Sequence, residues 1–199
     1  MHACSGTLRT RHATERLARE FRARGWPALH TRFGVHSGSA VVGNVGSSDR
    51  MAYTAMGNVV NLASRLEGLN KFYGTQILVS DATVRGAGQA YVFRSVDLVV
   101  PKGAREPLEV FELLGLAGAS DPADAALVAD PALVASLPAW QEMILCYRSG
   151  RFGAAQDALR RAARPEDDPL AAVYGERLAG LLADPPGPGW TPAMHFDEK

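Results

Sequence analysis

The chain has 199 residues, 47% of them hydrophobic, enough to bury a core of one domain with an appendage. Lysine plus arginine and aspartate plus glutamate number 21 each, so no basic surplus argues for nucleic acid or an acidic membrane surface as partner. Cys4 and Cys146 have neither metal-ligand spacing nor a disulfide framework, no run of about 18 apolar residues marks a membrane span, and Met1 to Thr10 lacks the apolar core of a secretion signal. A cytoplasmic location is therefore expected.

Residues 5–25 space Leu8, Ala13, Leu17 and Phe21 among arginines, which predicts a basic amphipathic helix ending at Gly25-Trp26-Pro27. Three short strand-like runs follow at 31–36, 40–45 and 51–56, separated by glycine and Ser-Ser-Asp turn chemistry. A helix over 57–72 closes at Tyr73-Gly74, residues 76–80 read as an apolar strand, and 91–100 with 107–114 read as an antiparallel pair around "PKGARE". Helices and strands alternate and then pair, an α+β pattern. Residues 116–137, rich in Ala, Asp and Pro, read as a linker with a short helical turn. From 138 to 199 the pattern is helical, three helices and a Pro/Gly-rich extended end anchored by Trp190. The spacing of Trp140, Tyr147, Gly150, Phe152, Ala155 and Ala158 resembles a single tetratricopeptide (TPR) unit, and a plain helical hairpin packed on the first domain carries equal weight.

The helix over 57–72 has two characters. At about 100° per residue, Val59, Leu62, Ala63, Leu66 and Leu69 share one arc, and Asn58, Asn61 and Arg65 share another. One face packs; the other presents two amides and a guanidinium. The nearby "SGSAVVGNVGSS" lacks the Lys-Ser/Thr ending of a phosphate loop, so its glycines read as strand and turn geometry, and His36 reads as a structural histidine.

The stretches "RFGVHSG", "GNVVNLASR" and "PKG" give residues 1–115 their identity: they resemble the C-terminal half of the class III adenylate/guanylate cyclase catalytic domain. The resemblance implies an incomplete ferredoxin-like domain followed by a small all-α, TPR-like tail, the tail being similar to that of bacterial sensor-linked adenylate cyclases. It implies conversion of ATP to 3',5'-cyclic AMP and pyrophosphate by in-line attack of the 3'-hydroxyl on the α-phosphorus, a reaction served by positioned donors and cations. Arg65 matches the family arginine that stabilises the transition state, and Asn61 the asparagine that orients the ribose. Lys102 matches the lysine on the terminal phosphates, and Thr54 the base-selecting position, where threonine leans toward ATP over GTP.

Family members use two magnesium or manganese ions. Their aspartate ligands lie upstream of the matching region, so no metal ligand is assigned within this chain, and the chain alone is expected to be inactive. The family also implies a homodimer with the site at the subunit interface, and a full-length form with a membrane anchor upstream. The alternative is a catalytically inactive remnant that acts as an interaction module, binding a protein partner through its helical tail. The joint presence of Thr54, Asn61, Arg65 and Lys102 favours the cyclase reading.

Overall fold

In the computed structural model, residues 2–47, 50–101, 106–162 and 168–196 are described. Helix α1 (His2–Ala23) leads to strand β1 (Phe33–Val35), the hairpin β2 (Val41–Ser47) and β3 (Arg50–Met56), helix α2 (Asn58–Tyr73) and strand β4 (Ile77–Ser80). A short α3 (Asp81–Ala87) precedes the long antiparallel pair β5 (Tyr91–Pro101) and β6 (Leu108–Leu116). Three helices follow, α4 (Pro131–Arg148), α5 (Phe152–Ala162) and α6 (Pro169–Ala183), and β7 (Met194–Phe196) closes the described chain.

Five strands form one mixed sheet in the order β1-β4-β6-β5-β7, with β1 parallel to β4 and β7 parallel to β5. Side chains alternate across it, as strand geometry requires. Ile77, Val79 and Leu113 join Cys4, Leu8 and Ala87 in one apolar cluster, whereas Leu78 and Val110 join Leu66, Tyr73, Trp140 and Tyr174 in another. The sheet thus has α1 and α3 on one face, α2 and the helical tail on the other. The architecture is α+β, and among the described residues no helix is long and apolar enough to cross a membrane.

Strand β5 carries a bulge: Ser95 pairs with Phe111 and Asp97 with Val110, leaving Val96 as the extra residue. The tail is built onto this irregularity. Trp140 Nε1 donates to Ser95 O at 2.7 Å, and Tyr174 Oη donates to Val96 O at 2.6 Å. Buried Asp97 accepts from Tyr73 Oη and from Arg177 Nη1, each at 2.8 Å, and from its neighbour Leu98 N. Beside it, buried Arg94 pairs with Glu112 of β6 and with Asp168, whose carboxylate also caps α6 by accepting from Leu170 N.

Three local expectations change. The stretch 116–137 is packed, with Leu127 and Ala129 buried and Ala129 N bonded to Leu116 O. Within it α4 begins at Pro131, because Asp130 accepts from Ala132 N as an N-cap and Pro131 occupies the first turn; Pro138, where the sequence reading started the helix, lies inside it. Helix α3 was not anticipated, although Ser80 caps it by accepting from Thr83 N. The last three helices make a hairpin and a third helix.

Candidate active site

The site is organised by the way α2 is seated. Gly57, at φ 130°, turns the chain from β3 into the helix. The helix then runs so close to β1 that a Cβ on Gly34 would lie 2.1 Å from Ala63 O, so Gly34 fixes its depth. At the far end Gly74, at φ 67°, ends α2 against Pro169 of α6, where a Cβ would meet the proline at 2.3 Å. Leu66, Leu69, Asn70 and Tyr73 face inward. Asn70 Nδ2 donates to Phe33 O at 3.0 Å and Tyr73 reaches Asp97, so the inner face is held by polar as well as apolar contacts. Burial, with the carboxylate of Asp97 beside it, pushes the Tyr73 hydroxyl far up, which keeps it a neutral donor.

With the inner face so fixed, Asn61 is exposed and Arg65 half-buried, one turn apart on the outer side of α2. Neither side chain has a hydrogen-bond or ion-pair partner among the described residues. Thr54 is exposed on β3, opposite Gly43 of β2. Strand pairing puts it on the hairpin face that also bears Val41, Val45 and Met56. Lys102 lies outside the described residues, directly after Pro101 at the end of β5.

The sequence reading did not anticipate a polar cluster at the C-terminal ends of β1 and β4. His36 Nδ1 lies 2.7 Å from Ser80 Oγ, and Ser37 Oγ lies 3.0 Å from Thr83 Oγ1. The His36 ring also stands near Gly38, whose Cβ would touch Val59 at 3.2 Å, so this cluster abuts the start of α2. Partial burial pushes the His36 imidazole below its usual range, with Asp81 opposing. The Ser-Asp-Ala-Thr stretch starting at Ser80 was the available signal, since a serine followed by an acid is an N-cap pattern.

Among the described residues, no three His, Cys, Asp or Glu side chains stand together as a cation site. The described donor set therefore does not fit a pair of divalent ions, and no step is assigned to a metal here. What remains is, on α2, two side chains without a partner among the described residues, an amide and a guanidinium, and, on β3, an exposed threonine. They offer donors to a phosphorylated, hydroxylated ligand.

That face and this fold define a class. The model of the adenylate and guanylate cyclase catalytic domain matches residues 11–115, more than half of the chain, and the chain belongs to that family. It is 42% identical over 128 residues to adenylate cyclase 1 of Rhizobium meliloti, which covers 64% of this chain and 19% of that protein. It is 37% identical over 92 residues to an adenylate cyclase of Anabaena cylindrica, covering 45% of this chain and 18% of that one. The chain thus spans about a fifth of the length of these relatives. Among solved structures it is similar to the guanylyl cyclase Cya2, at 28% identity and a TM-score of 0.49, covering 61% of this chain and 59% of that one.

Proposed function

We propose that this chain supplies the nucleotide-facing half of an adenylate cyclase site, which converts ATP to 3',5'-cyclic AMP and pyrophosphate in cyclic-nucleotide signalling. The observation that carries the reading is the pairing of Asn61 and Arg65 on the outer face of an α2 held from behind by Gly34, Asn70 and Tyr73, in a chain of the cyclase family. In the reaction the bond from O3' to the α-phosphorus forms as the bond from the α-phosphorus to the pyrophosphate oxygen breaks, and the hydroxyl proton passes to solvent. Charge grows on the phosphoryl oxygens as this happens. In this reading Arg65 meets that charge, Asn61 holds the ribose so that O3' is in line, Thr54 reads the base, and Lys102 binds the terminal phosphates.

The magnesium or manganese ions of the reaction are held, in this reading, by a segment other than the described residues, and the site is completed across a homodimer on the cytoplasmic side, where ATP is available. The second reading, an inactive module whose TPR-like tail binds a protein, has less support. Trp140, Tyr147 and Tyr174 of the tail are buried against β5, α2 and one another, so the aromatic face that a peptide would need is occupied.

The test has two arms. The 199-residue chain with magnesium or manganese and ATP is expected to give no cyclic AMP above background. Joined to the metal-binding half of a related cyclase domain, it is expected to turn over ATP faster than GTP, and Arg65→Ala or Asn61→Ala is expected to cut turnover by roughly 100- to 1000-fold with the fold retained. Near-normal turnover in either variant would remove both residues from the site.

A further inference from the structure

Helix α1 carries more positive charge than the cyclase reading uses, in a chain whose formal net charge is zero. Its residues Glu15, Arg19 and Arg22 lie at i, i+4 and i+7, on one face. That face lines an open cavity of about 570 Å³, with His30 and Arg32, which precede β1, and Lys71 in the last turn of α2 on its other side, all of them exposed. Four cations from three segments therefore surround one hollow. Among the described residues none of Arg19, Arg22, Arg32 or Lys71 has an ion pair or a side-chain hydrogen bond, and Glu15 is the one carboxylate on the lining, drawn toward Arg11 at 3.9 Å.

Many of the molecule's other arginines are paired. Arg9, Arg94, Arg148 and Arg177 each have a carboxylate within 3 Å. Helix dipoles favour Arg22 and Lys71, which stand in the last turns of their helices, but they give no reason for Arg19 and Arg32 to be there. The floor of the cavity is rigid: Asn70 is fully buried and bonded to Phe33 O, and Thr75 Oγ1 donates to Asn70 Oδ1 at 2.9 Å. The volume lies in the range of small-molecule sites, roughly 300 to 1000 Å³. Guanidinium groups are suited to paired hydrogen bonds with phosphate oxygens.

We propose that this cavity binds a small, free compound carrying two or more phosphate groups, at a site separate from Asn61 and Arg65. The separation follows from the helix itself, since Lys71 stands ten residues beyond Asn61 and six beyond Arg65, about 15 Å and about 9 Å along the axis of α2. The site also lies at the N-terminal ends of β1 and β4, beside Arg32 and Gln76, and the His36–Ser80 cluster lies at the opposite ends of the same two strands. Because α2 spans both places, a ligand here touches the helix that carries Asn61 and Arg65. The proposal goes beyond the cyclase reading and is tested without turnover.

The probe is inorganic tripolyphosphate, titrated into the 199-residue chain at low salt by calorimetry, with amide shifts of Thr31 and Gln76 followed by NMR. Saturable binding that persists when the nucleotide-facing groups Arg65 and Lys102 are removed is expected. Arg19→Glu and Arg32→Glu, both at exposed positions and therefore neutral for folding, should each weaken it about tenfold or more, as expected for loss of a charge-assisted hydrogen bond. Arg65→Ala combined with Lys102→Ala should leave it unchanged. The proposal is overturned if the folded chain binds no tripolyphosphate at millimolar probe, or if Arg65→Ala/Lys102→Ala abolishes binding while the two charge reversals do not. It is also overturned if a single-stranded oligonucleotide, or a vesicle carrying polyphosphorylated headgroups, binds through Arg19 and Arg32 and tripolyphosphate does not compete.

Discussion

The bulged strand β5 and the hairpin β2–β3 stand in opposite conditions within one chain. Along β5 the carbonyls of Ser95 and Val96 and the carboxylate of Asp97 are each met by a side chain of the tail, Trp140, Tyr174 and Arg177, and all of these residues are buried or nearly so. The hairpin is apolar on both faces yet bare: Val41 and Tyr53 are 68% and 76% exposed, and Val42, Met51 and Met56 are exposed as well. Its register places Val41 and Met56 on one face, Val42, Met51 and Tyr53 on the other. Apolar residues on both faces are the pattern of strands covered from both sides. The difference teaches where the described chain is self-sufficient. The tail is part of the same core as the sheet, and helix α2 is anchored at its tail end through Tyr73 and Gly74 and open at its hairpin end.

The comparison breaks most sharply at Asp97. Asp97→Ala removes the acceptor shared by Tyr73 and Arg177 and leaves a guanidinium buried without its partner; Arg177 Nη2 already has none. Loss of one member of a buried pair costs about 3–5 kcal/mol. Denaturant unfolding followed by tryptophan fluorescence is expected to show that loss, or failure to fold. A change below about 1 kcal/mol would mean that the tail is an independent appendage after all.

A smaller effect isolates the hydrogen bond from the packing. Trp140 is stacked edge-on against Tyr174 and lies 4.8 Å beneath the Arg94 guanidinium. Trp140→Phe keeps an aromatic ring there and removes the donor to Ser95 O, leaving that carbonyl unmet. The expected cost is about 1–3 kcal/mol, read from the same unfolding curves, and Trp140→Ala should cost more because it also empties the core.

The same contrast governs what could be read from the amino acids. Strands β1 to β6 and helices α1 and α2 were legible to within a few residues, because local periodicity and turn chemistry decide them. So was the split of α2 into a packed and a presented side. The tail's attachment was not: Asp97 and Arg177 are 80 positions apart, and no local pattern announces that a charged residue in a strand will be buried. The start of α4 was misplaced because Pro131 and Pro138 both follow residues compatible with a helix start, and only the Asp130 cap separates them. Lys102, legible as a motif, lies outside the described residues, so the site is seen from α2 and β3 only.

Between the two regions stands His36, and its effect should be smaller still. Burial lowers its folded-state pKa from the ordinary 6.5, with Asp81 opposing. The sign follows: above the unfolded value the ring is neutral in both states, and as pH falls from 6.5 toward the folded value the unfolded chain takes up the proton first, so stability declines. Unfolding midpoints at pH 7.5 and 5.5 should therefore differ more in the native chain than in His36→Asn. Equal differences would show that the Ser80–His36 contact does not hold the neutral ring.

The smallest expected effect belongs to the hairpin, and a null result there is informative because the residues are large and apolar. Tyr53 lies on the hairpin face away from Thr54, and Val41 lies on the face that Thr54 shares. In a packed strand, replacing either by a polar residue would cost several kcal/mol through lost burial. Here both side chains already meet water, so little burial is lost. Tyr53→Ser and Val41→Thr are expected to shift unfolding of the 199-residue chain by no more than about 0.5 kcal/mol each. They should also raise the concentration at which the chain aggregates, because a bare two-stranded ribbon offers unpaired edges and apolar area to other molecules. Light scattering against concentration measures the second effect. A stability loss above about 2 kcal/mol in either variant would mean that the hairpin is covered in solution. The contrast with β5 would then lie in what covers each region, since both would be buried.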